Sequence, residues 1–270
     1  MKDLSAVSGL PVRLLDDGRL EFGPEVEVAE FLVRPIRALA DVVLDRPACE
    51  AAPEGDIAYY MYNGVALADD LPKIEGSEMR YELTSIPART IGRELVKTLG
   101  HRHTVAPGSN LAYAEVCEII HGVAHFVFQK ASAQPGEAEA AGYIEAKVGE
   151  KVLIPPDLLH LTINPGKETL VFGDVVSVKM SGIYDEFKAA HGACYVEVLG
   201  DSAARFIPNP AYTSVPELAR VDSLDFPGLG ITRSVPLYRA FLEHWPEWAF
   251  LHRPDLFWTS LPGLKSAFDF

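Results

Sequence analysis

The chain has 270 residues, of which 48% are hydrophobic, and its formal net charge at pH 7 is −14. This length can bury a substantial core, and the negative charge argues against binding to nucleic acid or to anionic membranes, because phosphate groups attract basic surfaces. No apolar run approaches the roughly 18 residues of a membrane span, and the N-terminus lacks a signal-peptide pattern. Since the three cysteines are widely spaced and odd in number, which fits reduced thiols, we expect a soluble cytoplasmic protein.

Short apolar runs characterise the first 56 residues. Within them, residues 29–44 carry apolar side chains at helix-like spacing, although Pro35 interrupts the pattern. From Ile57 to Ile86 the sequence becomes rich in β-branched and aromatic residues, which is typical of strands. Residues 1–56 are therefore predicted to form an N-terminal, strand-bearing extension that packs on the region that follows.

The strongest β pattern lies in residues 57–207. Between Thr98 and Val178, short β-rich runs are separated by proline, glycine and asparagine. Many short strands with regular turn signals indicate a sandwich or a barrel. We therefore predict an all-β fold in which residues 57–207 form the barrel.

The sequence changes character after about Pro208. Residues 236–245 begin with a proline and place apolar side chains three and four apart, which predicts a helix. Tryptophan and phenylalanine crowd the segment beyond it. Because about sixty residues offer little independent core, residues 208–270 are predicted to form an aromatic-rich, partly helical C-terminal extension that packs across the barrel or into a subunit interface.

Three histidines and a glutamate are the candidate metal ligands. His101 and His103 are separated by one residue, so on a strand their side chains project to the same face. Glu115 and His160 could join them from other strands. Three imidazoles and one carboxylate form an open ligand set that suits a catalytic divalent metal, and Fe, Mn, Ni and Zn are all chemically compatible with it. The sequence therefore predicts one divalent metal ion per chain and a metal-dependent enzyme.

Two sequence blocks together resemble the motifs of the cupin superfamily. The first motif is a glycine, a His-x-His pair, a glutamate and, after six residues, another glycine. The second is a glycine, five residues, a proline, and a histidine separated by three residues from an asparagine. The matching residues are Gly100, His101, His103, Glu115 and Gly122 in the first block, and Gly149, Pro155, His160 and Asn164 in the second. The resemblance implies a double-stranded β-helix, or jelly-roll, barrel.

Glu115 and Glu118 compete for the carboxylate role. Residues three apart on a strand face opposite sides, so only one of the two can share the face of the metal ligands. The cupin spacing to Gly122 selects Glu115. Glu118 is then predicted to point outward or into an interface.

A narrower resemblance covers the chain from about Tyr59 to Phe172. The segments Thr-Leu-Gly-His-Arg-His, ending at His103, and Ile-Pro-Pro-Asp-Leu-Leu-His-Leu-Thr-Ile-Asn-Pro-Gly, starting at Ile154, are similar to those of the cupin-type, archaeal-like glucose-6-phosphate isomerases. This resemblance implies a metal-dependent isomerase of glycolysis and gluconeogenesis that interconverts glucose 6-phosphate and fructose 6-phosphate. It also implies a homodimer.

The same resemblance implies roles for individual residues. Glu115, besides binding the metal, would be the catalytic group that relays a proton between two carbons of the sugar. A small anionic sugar would be held by Tyr59, Thr84, Lys97, Thr98, Gly100 and Cys117.

Two positions depart from this family. Cys117 stands where members carry a tyrosine, and the segment around Val176 lacks the tyrosine and the histidine that members carry after the last core strand. The substrate is therefore left open between glucose 6-phosphate and a related hexose, such as mannose 6-phosphate or a 6-sulfonated hexose. The same barrel could instead serve a cupin dioxygenase or a non-catalytic sugar-binding cupin. The sequence does not distinguish an enediol mechanism from a hydride shift.

Overall fold

The computed structural model describes residues 1–134, 136–201 and 203–268, so the last two residues of the predicted C-terminal extension lie outside the described residues. The strands in chain order are β1 Lys2–Asp3, β2 Val12–Leu14, β3 Leu20–Phe22, β4 Val26–Pro35, β5 Ile57–Leu67, β6 Met79–Ile86, β7 Thr90–Ile91, β8 Glu94–Leu95, β9 Arg102–His103, β10 Glu115–His121, β11 Val123–Ala131, β12 Ala138–Lys147, β13 Lys151–Ile154, β14 Leu159–Ile163, β15 Leu170–Ser177, β16 Gly182–Ile183, β17 Tyr195–Leu199, β18 Ala204–Pro208 and β19 Leu218–Arg220.

The helices are short and lie mainly outside the central strands. The α-helices are α1 Ser5–Ser8, α2 Arg46–Glu50, α3 Leu71–Ser77, α4 Asp185–Ala189, α5 Leu237–His244, α6 Phe257–Ser260 and α7 Leu264–Ala267. Segments of 3₁₀-helix cover Ile36–Val42, Ala68–Asp70, Pro227–Leu229, Trp245–Leu251 and Pro254–Leu256. Within the described ranges, no helix is both long and apolar enough to cross a membrane.

Two antiparallel sheets form the barrel. The larger has the strand order β13-β10-β15-β6-β5-β4, and the smaller has the order β14-β11-β12, to which β19 adds in parallel. Apolar side chains from both sheets meet between them, as where the rings of Phe126 on β11 and Phe172 on β15 pack with centroids 5.9 Å apart. This arrangement confirms the predicted all-β cupin barrel.

The larger sheet is covered on both faces. Every residue of β10 and β15 is buried, because one face lines the barrel interior while the other packs under the chain termini. On that outer face, Val116 and Val175 belong to one apolar cluster with Phe241 and Trp248 of the C-terminal segment. The predicted helix of this segment is confirmed as α5, with Pro236 preceding its first residue.

Glu118 lies beneath the start of α5. It faces away from the barrel interior, as predicted, but it is 1% exposed because the C-terminal segment covers it. One carboxylate oxygen accepts a hydrogen bond from Lys151 Nζ at 2.6 Å, and the other accepts one from Leu237 N at 2.6 Å. Lys151 Nζ also donates to the carbonyl oxygen of Val235 at 2.6 Å. A buried ion pair thus fastens the C-terminal segment to the sheet.

The helix-like spacing of residues 29–44 does not correspond to an α-helix. Its first part lies in β4, and a 3₁₀-helix over Ile36–Val42 follows. β4 pairs with β5 over most of its length, from Val26 opposite Leu67 to Pro35 opposite Ile57. This pairing satisfies the backbone groups of residues 26–35 on one side and makes β4 the edge of the larger sheet. The chain before residue 57 therefore shares a sheet with the predicted barrel region.

Candidate metal centre and substrate pocket

The four predicted metal ligands converge in the barrel interior. His101 precedes β9 and forms an antiparallel bridge with His160 of β14, in which each backbone N–H donates to the carbonyl oxygen of the other residue, at 3.0 and 2.9 Å. His103 ends β9, and Glu115 begins β10. One ligand atom from each of the four residues lies within 4.8 Å of those from the other three.

Gly100 permits the turn that brings the histidine pair to this position. Its φ angle is +80°, and a Cβ atom there would lie 2.6 Å from the ring of Phe187. Residues that carry a Cβ atom rarely adopt this backbone conformation, and a Cβ atom would not fit against that ring. The glycine of the motif is therefore required by the local geometry.

Hydrogen bonds orient two of the imidazoles. The Nδ1–H of His103 donates to the carbonyl oxygen of Tyr113 at 2.8 Å, and that of His160 donates to the carbonyl oxygen of Leu158 at 3.3 Å. Each Nε2 then carries a lone pair, and the two atoms lie 3.2 and 3.7 Å from a carboxylate oxygen of Glu115. Neither Nε2 has a hydrogen-bond partner among the described residues, although both are buried. Buried unpartnered nitrogens cost free energy, so this donor set fits a divalent cation.

Burial also sets the protonation state of these groups. It holds the pKa of His101 well below its usual value and, with the neighbouring His103, lowers the pKa of His160 to about 4. For Glu115, burial opposes ionisation, but its interactions with the neighbouring imidazoles of His103 and His160 and the hydrogen bond from the Cys117 thiol outweigh burial and lower the pKa. At neutral pH His101 and His160 are therefore neutral and the carboxylate is ionised, which are the forms that bind metal.

A cavity with a volume of about 200 Å³ opens beside the four ligands. It is lined by side chains from the larger sheet and from the segment around β9. Four of the residues predicted to contact substrate line it: Tyr59, Thr84, Thr98 and Gly100. Thr98 Oγ1 accepts a hydrogen bond from Thr162 N at 3.0 Å, so its hydroxyl hydrogen remains available to a ligand oxygen.

Lys97 lies outside this cavity, contrary to the predicted role in holding an anionic group. Its side chain is 2% exposed, pairs with the carboxylate of Glu94, and donates from Nζ to the carbonyl oxygen of Val42 at 2.7 Å. Because Lys97 and Thr98 are adjacent in an extended segment, their side chains point in opposite directions. Thr98 faces the cavity and Lys97 faces the residues packed behind it.

Cys117 is also absent from the cavity wall, although its sequence position predicts substrate contact. Its thiol is buried and donates a hydrogen bond to Glu115 Oε1 at 3.0 Å. Burial and the charge of Glu115 raise the pKa of this thiol well above its usual value, so it stays protonated and remains a donor. Cys117 therefore orients the glutamate from behind.

Four charged residues that the sequence motifs do not single out also line the cavity: Arg34, Arg80, Glu82 and Asp174. Arg80 and Glu82 lie four and two residues before Thr84 on β6, so the period of two places them on the same face as the predicted threonine. Burial raises the pKa of Glu82, and burial together with the charges of Glu115 and Glu82 raises that of Asp174 well above its usual value. Asp174 sits within the apolar run of β15, where the sequence pattern indicates only a buried strand.

Two arginines place positive charge at the cavity. Arg80 pairs with the carboxylate of Glu82 and donates to the carbonyl oxygens of Ser177 and Val178, each at 3.2 Å, so it supports the segment after β15. Arg34, on the edge strand β4, lies over the ring of Tyr59, with its guanidinium carbon 5.9 Å from the ring centroid. Since Lys97 points elsewhere, Arg34 and Arg80 are the cations that line this cavity within the described part of the chain.

The sequence of this chain is similar to those of known proteins. Residues 33–210 match the family model described as glucose-6-phosphate isomerase. The glucose-6-phosphate isomerase of Thermococcus kodakarensis is 25% identical over 185 residues, which cover 68% of this chain and 88% of that protein.

Two solved structures illustrate more distant likenesses. An oxalate oxidase in complex with the substrate analogue glycolate is 15% identical, with a TM-score of 0.33, and the match covers 50% of this chain and 57% of that chain. A cupin-2 domain from Rhodospirillum rubrum is 14% identical, with a TM-score of 0.31, and the match covers 46% of this chain and 62% of that domain. Each match spans less than two thirds of the solved structure.

Proposed function

Because the chain belongs to the glucose-6-phosphate isomerase family, within the cupin superfamily, we propose that it is a metal-dependent aldose–ketose isomerase that interconverts glucose 6-phosphate and fructose 6-phosphate. The observation that carries this proposal is the juxtaposition of two features. Four metal-ligand atoms lie within 4.8 Å of one another, and the cavity beside them is lined by threonine hydroxyls and arginines suited to an anionic sugar.

One divalent cation per chain would be held by His101, His103, Glu115 and His160. The unpartnered Nε2 atoms of two of these histidines and the ionised carboxylate support this assignment. Fe, Mn, Ni and Zn are all compatible with such ligands. When bound, a divalent cation would polarise substrate oxygens and stabilise negative charge that develops on them.

The reaction moves hydrogen within one molecule and needs no external oxidant. From aldose to ketose, the hydrogen on C2 is transferred to C1 and the hydroxyl proton of O2 is transferred to O1. Glu115 is the residue that we propose as the proton carrier, because its carboxylate is ionised, buried and at the cavity wall. The Cys117 thiol holds one of its oxygens, which leaves the other toward His103 and His160.

The anionic end of the substrate would bind at the opposite side of the cavity. Thr84 and Thr98 supply hydroxyl donors there, and Gly100 contributes backbone to the cavity wall. Arg34 supplies the positive charge in place of Lys97. The Arg34 Nε atom is buried and has no hydrogen-bond partner in the described chain, which supports its use by a ligand.

A homodimer is the assembly that we propose, formed through β4. This strand is the edge of the larger sheet, and its backbone groups on the outer side are unpaired within the described chain. Phe31, Leu32 and Val33 are consecutive large apolar residues there, and they are 49%, 39% and 40% exposed. A long apolar edge strand is prone to pair with another strand, and a second copy supplies one.

A metal-reconstituted activity assay tests the proposed function. The purified chain, stripped of metal and then supplied with Fe²⁺, Mn²⁺, Ni²⁺ or Zn²⁺, should isomerise glucose 6-phosphate with at least one of them. His103→Ala should abolish both metal binding and activity. Mannose 6-phosphate and 6-sulfonated glucose, assayed in parallel, identify the preferred sugar. A chain that binds metal but acts on none of these sugars would contradict the proposal.

A further inference from the structure

The carboxyl group of Asp174 faces the cavity and has no partner among the described residues. Asp174 is 5% exposed and lines the cavity, yet it forms no hydrogen bond and no ion pair within the described ranges. Its neighbour Glu82 differs, because that carboxylate is engaged by Arg80. Burial of a polar group costs free energy unless a partner offsets it. An unpartnered acid that faces a cavity therefore indicates that a ligand supplies the partner.

The strand register places Asp174 between the two ends of the proposed substrate site. On one side it pairs with Cys117 of β10, two residues beyond Glu115. On the other side it pairs with Glu82 of β6, two residues before Thr84. Two residues correspond to roughly 7 Å along a strand. A sugar whose reacting carbons lie at Glu115 and whose anionic group lies at Thr84 must therefore cross the position of Asp174.

We propose that Asp174 is a specificity-determining residue that hydrogen-bonds the middle hydroxyl groups of an open-chain sugar. This inference rests on the proposed function. Hydroxyl groups both donate and accept, so they match a carboxyl group in either protonation state. The site thereby selects polyhydroxylated anions over anions of the same length that lack hydroxyls, and it does so at a position separate from the metal ligands and from the anion-binding threonines.

Calorimetric binding to the purified full-length chain tests this role with two ligands of equal length. The first is glucitol 6-phosphate, an open-chain polyol phosphate, and the second is n-hexyl phosphate, which lacks the hydroxyls. Asp174→Ala should weaken binding of glucitol 6-phosphate roughly 10- to 100-fold, as expected for loss of a hydrogen bond to a charged or buried group. Binding of n-hexyl phosphate should change by less than about twofold, because that ligand offers Asp174 no partner. An unchanged preference between the two ligands would overturn the inference.

Thermal unfolding of the ligand-free variants separates recognition from a structural role. Asp174→Ala and Asp174→Asn should keep or raise the melting temperature, since the wild-type carboxyl group has no partner to lose. The matched control is Glu197→Ala, which removes another buried carboxylate, one that is hydrogen-bonded to His125 at 2.8 Å. It should lower the melting temperature and leave the ligand preference intact. A large destabilisation or failure to fold of the Asp174 variants would contradict the inference.

The two proposals fail in different ways. A wild-type chain that neither isomerises glucose 6-phosphate nor binds glucitol 6-phosphate would contradict the proposed function. A wild-type chain that does both, while Asp174→Ala retains the same preference and the same KM, would leave the function standing and remove only the role of Asp174.

Discussion

A buried imidazole with a depressed pKa makes the stability of the protein depend on pH. His160 has an ordinary value of 6.5 in an unfolded chain, whereas its pKa in the folded, metal-free protein is about 4. Between these two values the unfolded state binds more protons than the folded state, so the free energy of unfolding falls as the pH falls. The difference corresponds to about 3 kcal/mol when the pH reaches the folded value.

Urea denaturation of the metal-free protein checks this pH dependence. Between pH 6.5 and 4 the wild type should lose about 3 kcal/mol more stability than His160→Asn, which lacks the titrating ring. Groups distant from His160 titrate alike in both proteins, so their contributions cancel in the comparison. Parallel curves for the two proteins would show that this histidine is not held neutral by burial.

Lys97 should act through stability and not through substrate affinity. Lys97→Met leaves the Glu94 carboxylate buried without its partner, and such a change typically costs about 3–5 kcal/mol. The KM for glucose 6-phosphate should stay within about twofold of the wild-type value, because the side chain does not reach the cavity. Thr98→Val is the informative comparison, since it removes a hydroxyl at the cavity wall and should raise KM. Urea denaturation and steady-state kinetics measure the two effects, and a raised KM for Lys97→Met would restore the anion-binding role.

Individual site residues could be predicted from the sequence to the extent that spacing determines their direction. The metal ligands follow from two motifs. Because strand side chains alternate, Glu82 is predicted to lie on the same face as Thr84, two residues further along. The orientation of Lys97 could not be predicted in this way. Lys97 and Thr98 are neighbours with side chains on opposite faces, and the motif does not determine which of the two faces the cavity. The role of Asp174 could not be predicted, because a single acidic residue in an apolar strand gives no local indication of a site. Its position at the cavity depends on the pairing of its strand with strands distant in sequence.

At the scale of elements, long-range pairing overrides local pattern. Residues 29–44 have helix-like apolar spacing. Residues 26–35 nevertheless form a strand, because their backbone groups pair with those of β5. The short α5 was predictable, because a proline before its first residue and its apolar spacing are local signals. Whether the C-terminal segment packs on the larger sheet or in a subunit interface was not, since Glu118 and Lys151 meet this segment across 119 and 84 residues of chain.

The buried pair beneath α5 yields a prediction for this element. Glu118→Gln should lower the free energy of unfolding by about 3 kcal/mol, because it leaves the ammonium of Lys151 buried without its countercharge. Amide exchange should increase at the N-terminus of α5, where Leu237 N donates to Glu118. Glu139→Gln is the matched control, since Glu139 pairs with Lys130 at 2.7 Å on the exposed surface and such pairs contribute about 0–1 kcal/mol. Equal effects of the two substitutions would contradict the fastening role.

At the scale of the whole molecule, the proposed homodimer would join two larger sheets edge to edge. Antiparallel pairing about a two-fold axis at Leu32 places Glu30 of each copy opposite Arg34 of the other. It also keeps every side chain on its own face of the sheet. Leu32 and Arg34 line the cavity as well, so the partner strand would lie directly beside the substrate site. Pairing therefore connects the oligomeric state with the shape of the cavity wall.

Val33→Lys tests this interface without altering a residue that lines the cavity. A lysine on an edge strand opposes pairing with another strand, so the variant should elute as a monomer in size-exclusion chromatography with light scattering, whereas the wild type should elute as a dimer. Val148→Lys is the control, because Val148 is also exposed, at 48%, but lies in the turn after β12. It should leave the dimer intact. Since the partner strand adjoins the cavity, the monomeric Val33→Lys variant should also show a raised KM, whereas a Val33→Lys dimer with wild-type kinetics would exclude β4 as the interface.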